Sequence, residues 1–249
     1  MPSFAWESLA VDYPRGELIE PHRHEQAQIV FAKSGVMRVD TAAGAWVVPP
    51  QRALWLPAGV THWIACHTAV AMRTIYLDQD AAPALGERTA VLAVGALLRE
   101  IILRLVESES GNRDALLAVL IGELATVPVA PLHLPEPHDA RLRRACAALV
   151  ADPGASTSMA ELATMAGASP RTLMRLFPAE TGLSFRGWQR QLRLLMALER
   201  LADRQPVTSI ALDLGYASPS AFIATFRAAL GVTPARYFDG RPQGKQRAR

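Results

Sequence analysis

Short runs of alternating hydrophobic and polar residues fill the first 80 positions of the chain. They are rich in Val, Ile, Trp and Tyr, are separated by Gly or Pro, and lie at 17–31, 36–40, 45–48, 53–56, 61–65 and 72–77. Many short strands at this spacing are typical of a β-sandwich or a small barrel. The pattern therefore predicts a β domain over residues 1–80.

From residue 84 the apolar positions repeat with the period of a helix. Two apolar stripes follow each other, with residues 108–113 as the turn between them, and their members are Leu92, Leu97, Ile101, Leu105 and Val106, then Leu116, Leu120 and Leu124. Charged residues interrupt the stretch 91–105, so it predicts a packed helix and not a membrane span. We expect residues 81–127 to form a helical pair that covers one end of the barrel, forms a dimer interface, or does both.

Four prolines between residues 128 and 137 indicate a linker, because proline cannot continue a helix. Beyond it, helical patterns cover residues 138–151, 159–166, 170–181, 184–203, 207–214, 219–230 and 234–238. The predicted fold class is α+β with two domains, a small β-barrel plus helical pair followed by an all-α domain over residues 138–240. A basic tail at 241–249 is expected to be disordered.

One sequence motif occurs twice in the helical region, 49 residues apart. In both copies a short apolar helix ends in Gly, and a second helix begins with Ser at the N-cap and Pro at N1, which is the signature of a helix-turn-helix. The matching positions are Gly167, Ser169, Pro170, Phe177 and Gly182 in the first copy, and Gly215, Ser218, Pro219, Phe226 and Gly231 in the second. Two such units predict a protein that reads double-stranded DNA at two successive turns of the major groove.

The charge distribution agrees with this prediction. The net charge of +3 hides an acidic half, residues 1–137, with 10 Lys+Arg against 15 Asp+Glu, and a basic half, residues 138–249, with 16 against 8. A basic half joined to an acidic one indicates nucleic acid as the partner of the second half only.

The second helix of each unit supplies the candidate base-reading residues. In the first unit they are Arg171, Thr172, Met174 and Arg175, and arginine suits bidentate hydrogen bonding to guanine O6 and N7. In the second unit they are Ser220, Ala221 and Ala224. These short side chains are expected to contact thymine methyl groups and read groove shape, or mainly to position the protein.

Candidate phosphate contacts are of two kinds, residues at helix N-termini and exposed arginines. Helix N-termini offer free backbone amides to phosphate oxygens, and arginine carries a permanent positive charge. The candidates are Ser169, Ser184, Arg186, Arg190, Ser218, Arg227 and Arg236, with Arg193 as a further one.

The order of these motifs resembles the AraC/XylS family of bacterial transcriptional regulators, and the resemblance runs from Ala163 to Tyr237. It implies two helix-turn-helix subdomains joined by one long helix, here residues 184–203. It also implies base contacts from both recognition helices. Carried over, these contacts fall on Arg171, Met174 and Arg175 in the first unit, and on Ser220, Ile223 and Ala224 in the second.

Histidines form the candidate site of the first half. His22, His24 and Gln28 alternate on a predicted strand and so share a face, and His62 follows the turn Pro57-Ala58-Gly59. The spacing resembles the two cupin motifs, in which two His, a Glu and a later His bind a metal, with Gln28 at the position of the usual Glu. Many AraC-family regulators carry a cupin-like sensing barrel, so the two resemblances agree.

Two roles for the histidines stay open at this stage. As metal ligands, His22, His24, Gln28 and His62 suit zinc, nickel, cobalt or iron. As part of an effector pocket, the same residues would hydrogen-bond a small molecule, with Trp55 as an apolar wall. Satisfied core histidines are the third alternative.

The favoured function is a sequence-specific transcriptional regulator, not an enzyme, that responds to a small molecule or metal in its barrel. A cupin metalloenzyme with a DNA-binding appendage and a purely architectural DNA-binding protein are the alternatives. The two cysteines and the absence of a recognisable signal peptide predict a cytoplasmic protein. We also expect a homodimer and no membrane partner.

Overall fold

A computed structural model describes residues 5–109, 111–124 and 132–238. Their contacts divide the chain into two compact units, one comprising residues 1–41, 46–131 and 236–249 and the other residues 42–45 and 132–235. The predicted tail at 241–249 and residues 128–131 of the predicted linker lie outside the described residues. The finer domain boundaries, at residues 80, 127 and 137, stay predictions.

The first unit is an antiparallel β-sandwich of two sheets. One sheet has the strand order β1-β8-β3-β6-β9, and the other contains β5-β4-β7-β2. The strands are β1 (Trp6–Tyr13), β2 (Leu18–His22), β3 (Ala27–Ser34), β4 (Met37–Thr41), β5 (Gly44–Val48), β6 (Arg52–Leu56), β7 (His62–Cys66), β8 (Val70–Leu77) and β9 (Ala90–Ala93). The predicted class, a cupin-like β domain followed by a helical region, is confirmed.

Two details of the strand prediction were wrong. The run 17–31 is not one strand but β2 and β3, which belong to different sheets. Residues 90–93 form strand β9, which pairs with β6, and not the start of a helix. A short apolar run such as Ala-Val-Leu-Ala suits a buried strand or a helix equally well, so periodicity alone could not decide.

The helical pair consists of α1 (Ala96–Glu107) and α2 (Arg113–Leu124). It packs against a face of the first sheet rather than at one end of a barrel. Its buried side chains share one core cluster with β3 and β6, which includes Leu98, Ile102, Leu105, Leu120, Ile29, Phe31 and Trp55. Both faces of this sheet are therefore covered, which explains why β3 is buried from Ala27 to Ala32.

The second unit is helical, as predicted, apart from the short strand β10 (His133–Pro135). Its helices are α3 (Ala140–Ala151), α4 (Met159–Ala166), α5 (Pro170–Thr181), α6 (Phe185–Ala202), α7 (Val207–Asp213) and α8 (Pro219–Leu230). The last short helix is α9 (Pro234–Tyr237). The pairs α4–α5 and α7–α8 are the two helix-turn-helix units, and α6 joins them.

Candidate functional site

The two recognition helices, α5 and α8, begin in the same way because the same residues cap them. Ser169 Oγ accepts a hydrogen bond from the Thr172 N–H at 3.1 Å, and Ser218 Oγ accepts one from the Ala221 N–H at 3.2 Å. Proline follows at N1 of both helices, where a missing N–H costs nothing. Local sequence therefore fixes where each recognition helix starts.

Helix α5 separates its packing residues from its exposed ones. Leu173, Leu176 and Phe177 are buried in the unit, whereas Met174 is 63% exposed. Arg171 and Arg175 are also exposed and lie four residues apart, so these two guanidinium groups share one face with Met174.

Thr172 differs from the other candidates on α5. It is only half-buried, and its hydroxyl lies 2.9 Å from Ser169 Oγ, where it takes part in the helix cap. A hydroxyl held in this way is a weaker candidate for base reading than the two arginines.

Helix α8 presents a different surface. Ser220, Ala221 and Ala224 are exposed as predicted, and Phe222 and Phe226 are fully buried. Its first charged residue is Arg227, more than two turns from the N-terminus. The exposed part nearest the helix start therefore offers small groups and no long hydrogen-bonding side chain.

Two groups of phosphate candidates lie at exposed positions of the second half. Ser184 caps α6 by accepting from the Gly187 N–H at 3.2 Å, and amides in the first turn of a helix have no intrahelical acceptor. The arginine candidates for phosphate contacts that lie exposed are Arg186, Arg190, Arg227 and Arg236.

Arg193 does not fit the phosphate role that its sequence position suggested. Its Nε donates to the carbonyl oxygen of Pro153 at 2.8 Å, and its Nη1 donates to that of Gly215 at 3.4 Å. The guanidinium group is thus bound to the protein's own backbone, a correction that the linear sequence could not supply.

Three histidines converge in the first unit, from the end of β2, the following loop and the start of β7. The ring centroids of His22 and His62 are 4.3 Å apart, and those of His22 and His24 are 4.9 Å apart. One potential ligand atom of each histidine lies within 4.8 Å of the others. The structure thus brings together the three residues that the sequence proposed.

Backbone carbonyls orient two of the imidazole rings. His22 Nδ1 lies 2.7 Å from the Glu20 carbonyl oxygen, and His62 Nδ1 lies 3.0 Å from that of Val60. A ring whose Nδ1–H donates to a carbonyl keeps the lone pair on Nε2, which is how metal-binding histidines are usually held.

The nitrogens left over are candidate ligands. Nε2 of His24 and Nε2 of His62 are buried and have no hydrogen-bond partner among the described residues. Burial lowers the pKa of His62 to about 4 and also lowers that of His24. Both rings are therefore neutral near pH 7, the form that binds a cation.

Gln28, on the other sheet, is linked to this group through Tyr76. Its Nε2 donates to Thr74 Oγ1 at 2.9 Å and to Tyr76 Oη at 3.2 Å, and the Tyr76 ring lies 4.8 Å from that of His24. Its Oε1 is buried without a partner among the described residues. Sequence reasoning missed Thr74 and Tyr76, although their i, i+2 spacing on β8 places them on one face.

Trp55 does not join the histidines. It is fully buried in the core between the first sheet and the helical pair, and its Nε1 donates to the Gly86 carbonyl oxygen at 2.9 Å. In the β3–β6 register it pairs with Ile29, a residue of that same core, and not with Gln28. The prediction that Trp55 walls an effector pocket around the histidines is corrected accordingly.

Comparisons with known proteins cover both units. The model of a helix-turn-helix domain matches residues 162–240, and that of the AraC-like ligand binding domain matches residues 8–163. The HTH-type transcriptional regulator NimR of Escherichia coli (strain K12) is 35% identical over 227 residues, which are 89% of this chain and 83% of NimR. The HTH-type transcriptional regulator RipA of Corynebacterium glutamicum is 36% identical over 114 residues, 46% of this chain and 33% of RipA.

Among solved structures, that of ToxT from Vibrio cholerae matches with a TM-score of 0.41 and 12% identity. The match covers 94% of this chain and 97% of that of ToxT. Within the part of the chain that the structure describes, no helix has the length and apolar character needed to cross a bilayer.

Proposed function

The chain belongs to the AraC family of HTH-type transcriptional regulators, and on that premise we propose that it reads an operator through two unequal contacts. The first helix-turn-helix unit reads bases through Arg171 and Arg175, with Met174 between them. The second helix-turn-helix unit contacts the DNA through Ser220, Ala221 and Ala224. The exposure of both arginines on one face of α5 carries this proposal, since bidentate arginine–guanine contacts discriminate strongly between bases.

Selection of bound fragments from genomic DNA tests the proposal. We expect enrichment of fragments that contain two boxes about one helical turn apart, because each unit occupies one segment of the major groove. Enrichment without a shared sequence would contradict base reading.

A protein that acts on chromosomal DNA in this way works in the cytoplasm. Regulation of transcription requires no enzymatic turnover.

For the β-sandwich unit, we propose that the effector site holds a divalent transition metal, bound by His22, His24 and His62 with Gln28 as a neutral oxygen ligand. The support is chemical: buried imidazole nitrogens and a buried amide oxygen that have no partner within the described part of the chain, and carbonyls that orient two rings. Three imidazoles suit zinc, nickel, cobalt or iron. A small molecule that hydrogen-bonds the same atoms is the alternative.

Substituting one ligand tests the metal proposal. We expect His62→Ala to weaken zinc binding at least 100-fold, measured by competition with a chromophoric chelator at pH 7, because it removes one of three imidazoles. His138→Ala, at an exposed position in the other unit, should bind zinc like the parent. Equal affinity of all three proteins, or no binding by the parent, would reject the metal site in favour of the small-molecule alternative.

We further propose that the chain is a homodimer through the exposed face of α2. Ala115, Ala118, Val119 and Gly122 are all exposed there and lie at i, i+3, i+4 and i+7, so they form one apolar stripe. Val119→Glu should shift the protein from dimer to monomer in sedimentation equilibrium, because it places a charge in the interface. A dimer that tolerates this substitution would show that the interface lies elsewhere.

A further inference from the structure

The segment that leads into the first helix-turn-helix unit contacts the second unit through its backbone. Gly154, between α3 and α4, faces Asp213 and Gly215, which close the turn between α7 and α8. A β-carbon on Gly154 would collide with the Asp213 carbonyl oxygen and lie 3.2 Å from its carbonyl carbon. A β-carbon on Gly215 would likewise collide with the Gly154 carbonyl oxygen. No side chain separates the two backbone segments here. We call this contact, together with Arg193, the joint.

Arg193, on the long helix α6, hydrogen-bonds to both segments of the joint. Its Nε–H and Nη1–H donate to Pro153 on one side of the joint and to Gly215 on the other. Its guanidinium carbon lies 5.9 Å from the centre of the Tyr216 ring. A planar guanidinium has donors fixed in several directions, so one side chain holds both segments in a set orientation.

A second contact supports the joint on the same side of α6. Arg200 Nη1 donates to Asp213 Oδ2 at 3.1 Å, which ties α6 to the end of α7. The end of α7 is thus held by the Gly154 backbone, by Arg193 and by Arg200. Such a joint leaves the two helix-turn-helix units little freedom to rotate relative to each other.

We propose that this joint, formed by Gly154, Arg193 and Gly215, determines which spacing between two operator boxes the protein accepts. Recognition helices in successive major-groove turns must stand about 34 Å apart. A rotation at the joint would displace α8 along the groove relative to α5, so its rigidity selects one spacer length. Arg193 and Gly154 are positioning residues, and the inference rests on the proposed two-box binding.

Two substitutions alter the joint in different ways. Gly154→Ala adds one methyl group where backbone atoms meet, and Gly154 does not have a left-handed backbone conformation that would strain alanine. Arg193→Ala removes both bridging hydrogen bonds, whereas Arg193→Lys retains one donor group. Gly95→Ala is the matched control, since a β-carbon there meets nothing within 4 Å.

The experiment uses the full chain and a DNA pool with two fixed boxes and spacers of varied length. We expect the parent and Gly95→Ala to enrich one spacer length. Gly154→Ala should shift the optimum by at least one base pair, and Arg193→Ala should broaden it, each with about tenfold weaker binding at the parent's spacer. Arg193→Lys should lie between the parent and Arg193→Ala.

The outcomes separate the joint from the function on which it rests. If folded variants retain the parent's optimum, or bind all spacers more weakly by the same factor, the joint is merely structural and the inference fails. If the parent itself enriches no two-box DNA, the proposed operator binding fails as well. Thermal melting of each variant identifies the folded ones.

Discussion

Replacing Arg171 and Arg175 together by alanine should remove most of the protein's preference for its operator, while the weaker contact of the second helix-turn-helix unit and non-specific DNA binding remain. Each arginine is exposed on α5 and takes no part in the packing of Leu173, Leu176 and Phe177. Loss of a bidentate base contact costs about 1–3 kcal/mol, so the double variant should lose about 2–6 kcal/mol at the selected operator. Non-specific binding persists because phosphate contacts supply it.

Equilibrium binding to the selected operator and to an unrelated duplex, at one salt concentration, measures the effect. A double variant of Arg88 and Arg143, both exposed and outside α5, removes the same charge and is the matched control. We expect it to retain most of the preference for the operator. If both double variants lose the same affinity for both duplexes, the α5 arginines contribute charge and not base reading.

Phe222→Ala should cause the largest loss of stability among the single substitutions considered. The side chain is fully buried in the second unit, and its ring lies 5.2 Å from that of Tyr216 and 5.7 Å from that of Phe226. Truncating a buried phenylalanine costs about 3–5 kcal/mol through lost burial and the cavity left behind. Chemical denaturation measures the fall in the free energy of unfolding.

Thr225→Ala on the same helix provides the comparison for Phe222→Ala. Its hydroxyl donates to the Ala221 carbonyl oxygen one turn earlier, an interaction within the helix that makes a small net contribution. We expect a change of less than about 1 kcal/mol. Similar losses for the two variants would mean that Phe222 does not hold the second unit together.

The ends of the helices in the second half could be predicted to within two residues because residues close to each end determine them. Ser at the N-cap, Pro at N1 and Gly after the last turn act within one helical turn, so they need no tertiary context. Gly182, for example, ends α5 in a left-handed conformation with φ of 69°. Residues such as Arg193 depend on distant segments, and their role became visible only in the fold.

The strands and the histidine site depend more on long-range packing. Strand β1 has no fully buried residue, and among the described residues it lies at the sheet edge beside β8, so its pattern gave no clear signal. His22, His24 and His62 could be proposed together from spacing and from a family resemblance. Trp55 could not be placed, because helices cover the outer face of its sheet and make both faces apolar.

The most direct test of base reading by the first helix-turn-helix unit is selection from a fully random DNA pool. The parent and the Arg171/Arg175 double variant are selected in parallel. We expect the parent to enrich one guanine-containing box with strong base preference and a second, weaker box at a fixed distance. The double variant should lose the preference in the strong box and retain that in the weak one. A parent motif whose strong box is unchanged by the double substitution would contradict the assignment of base reading to the first unit.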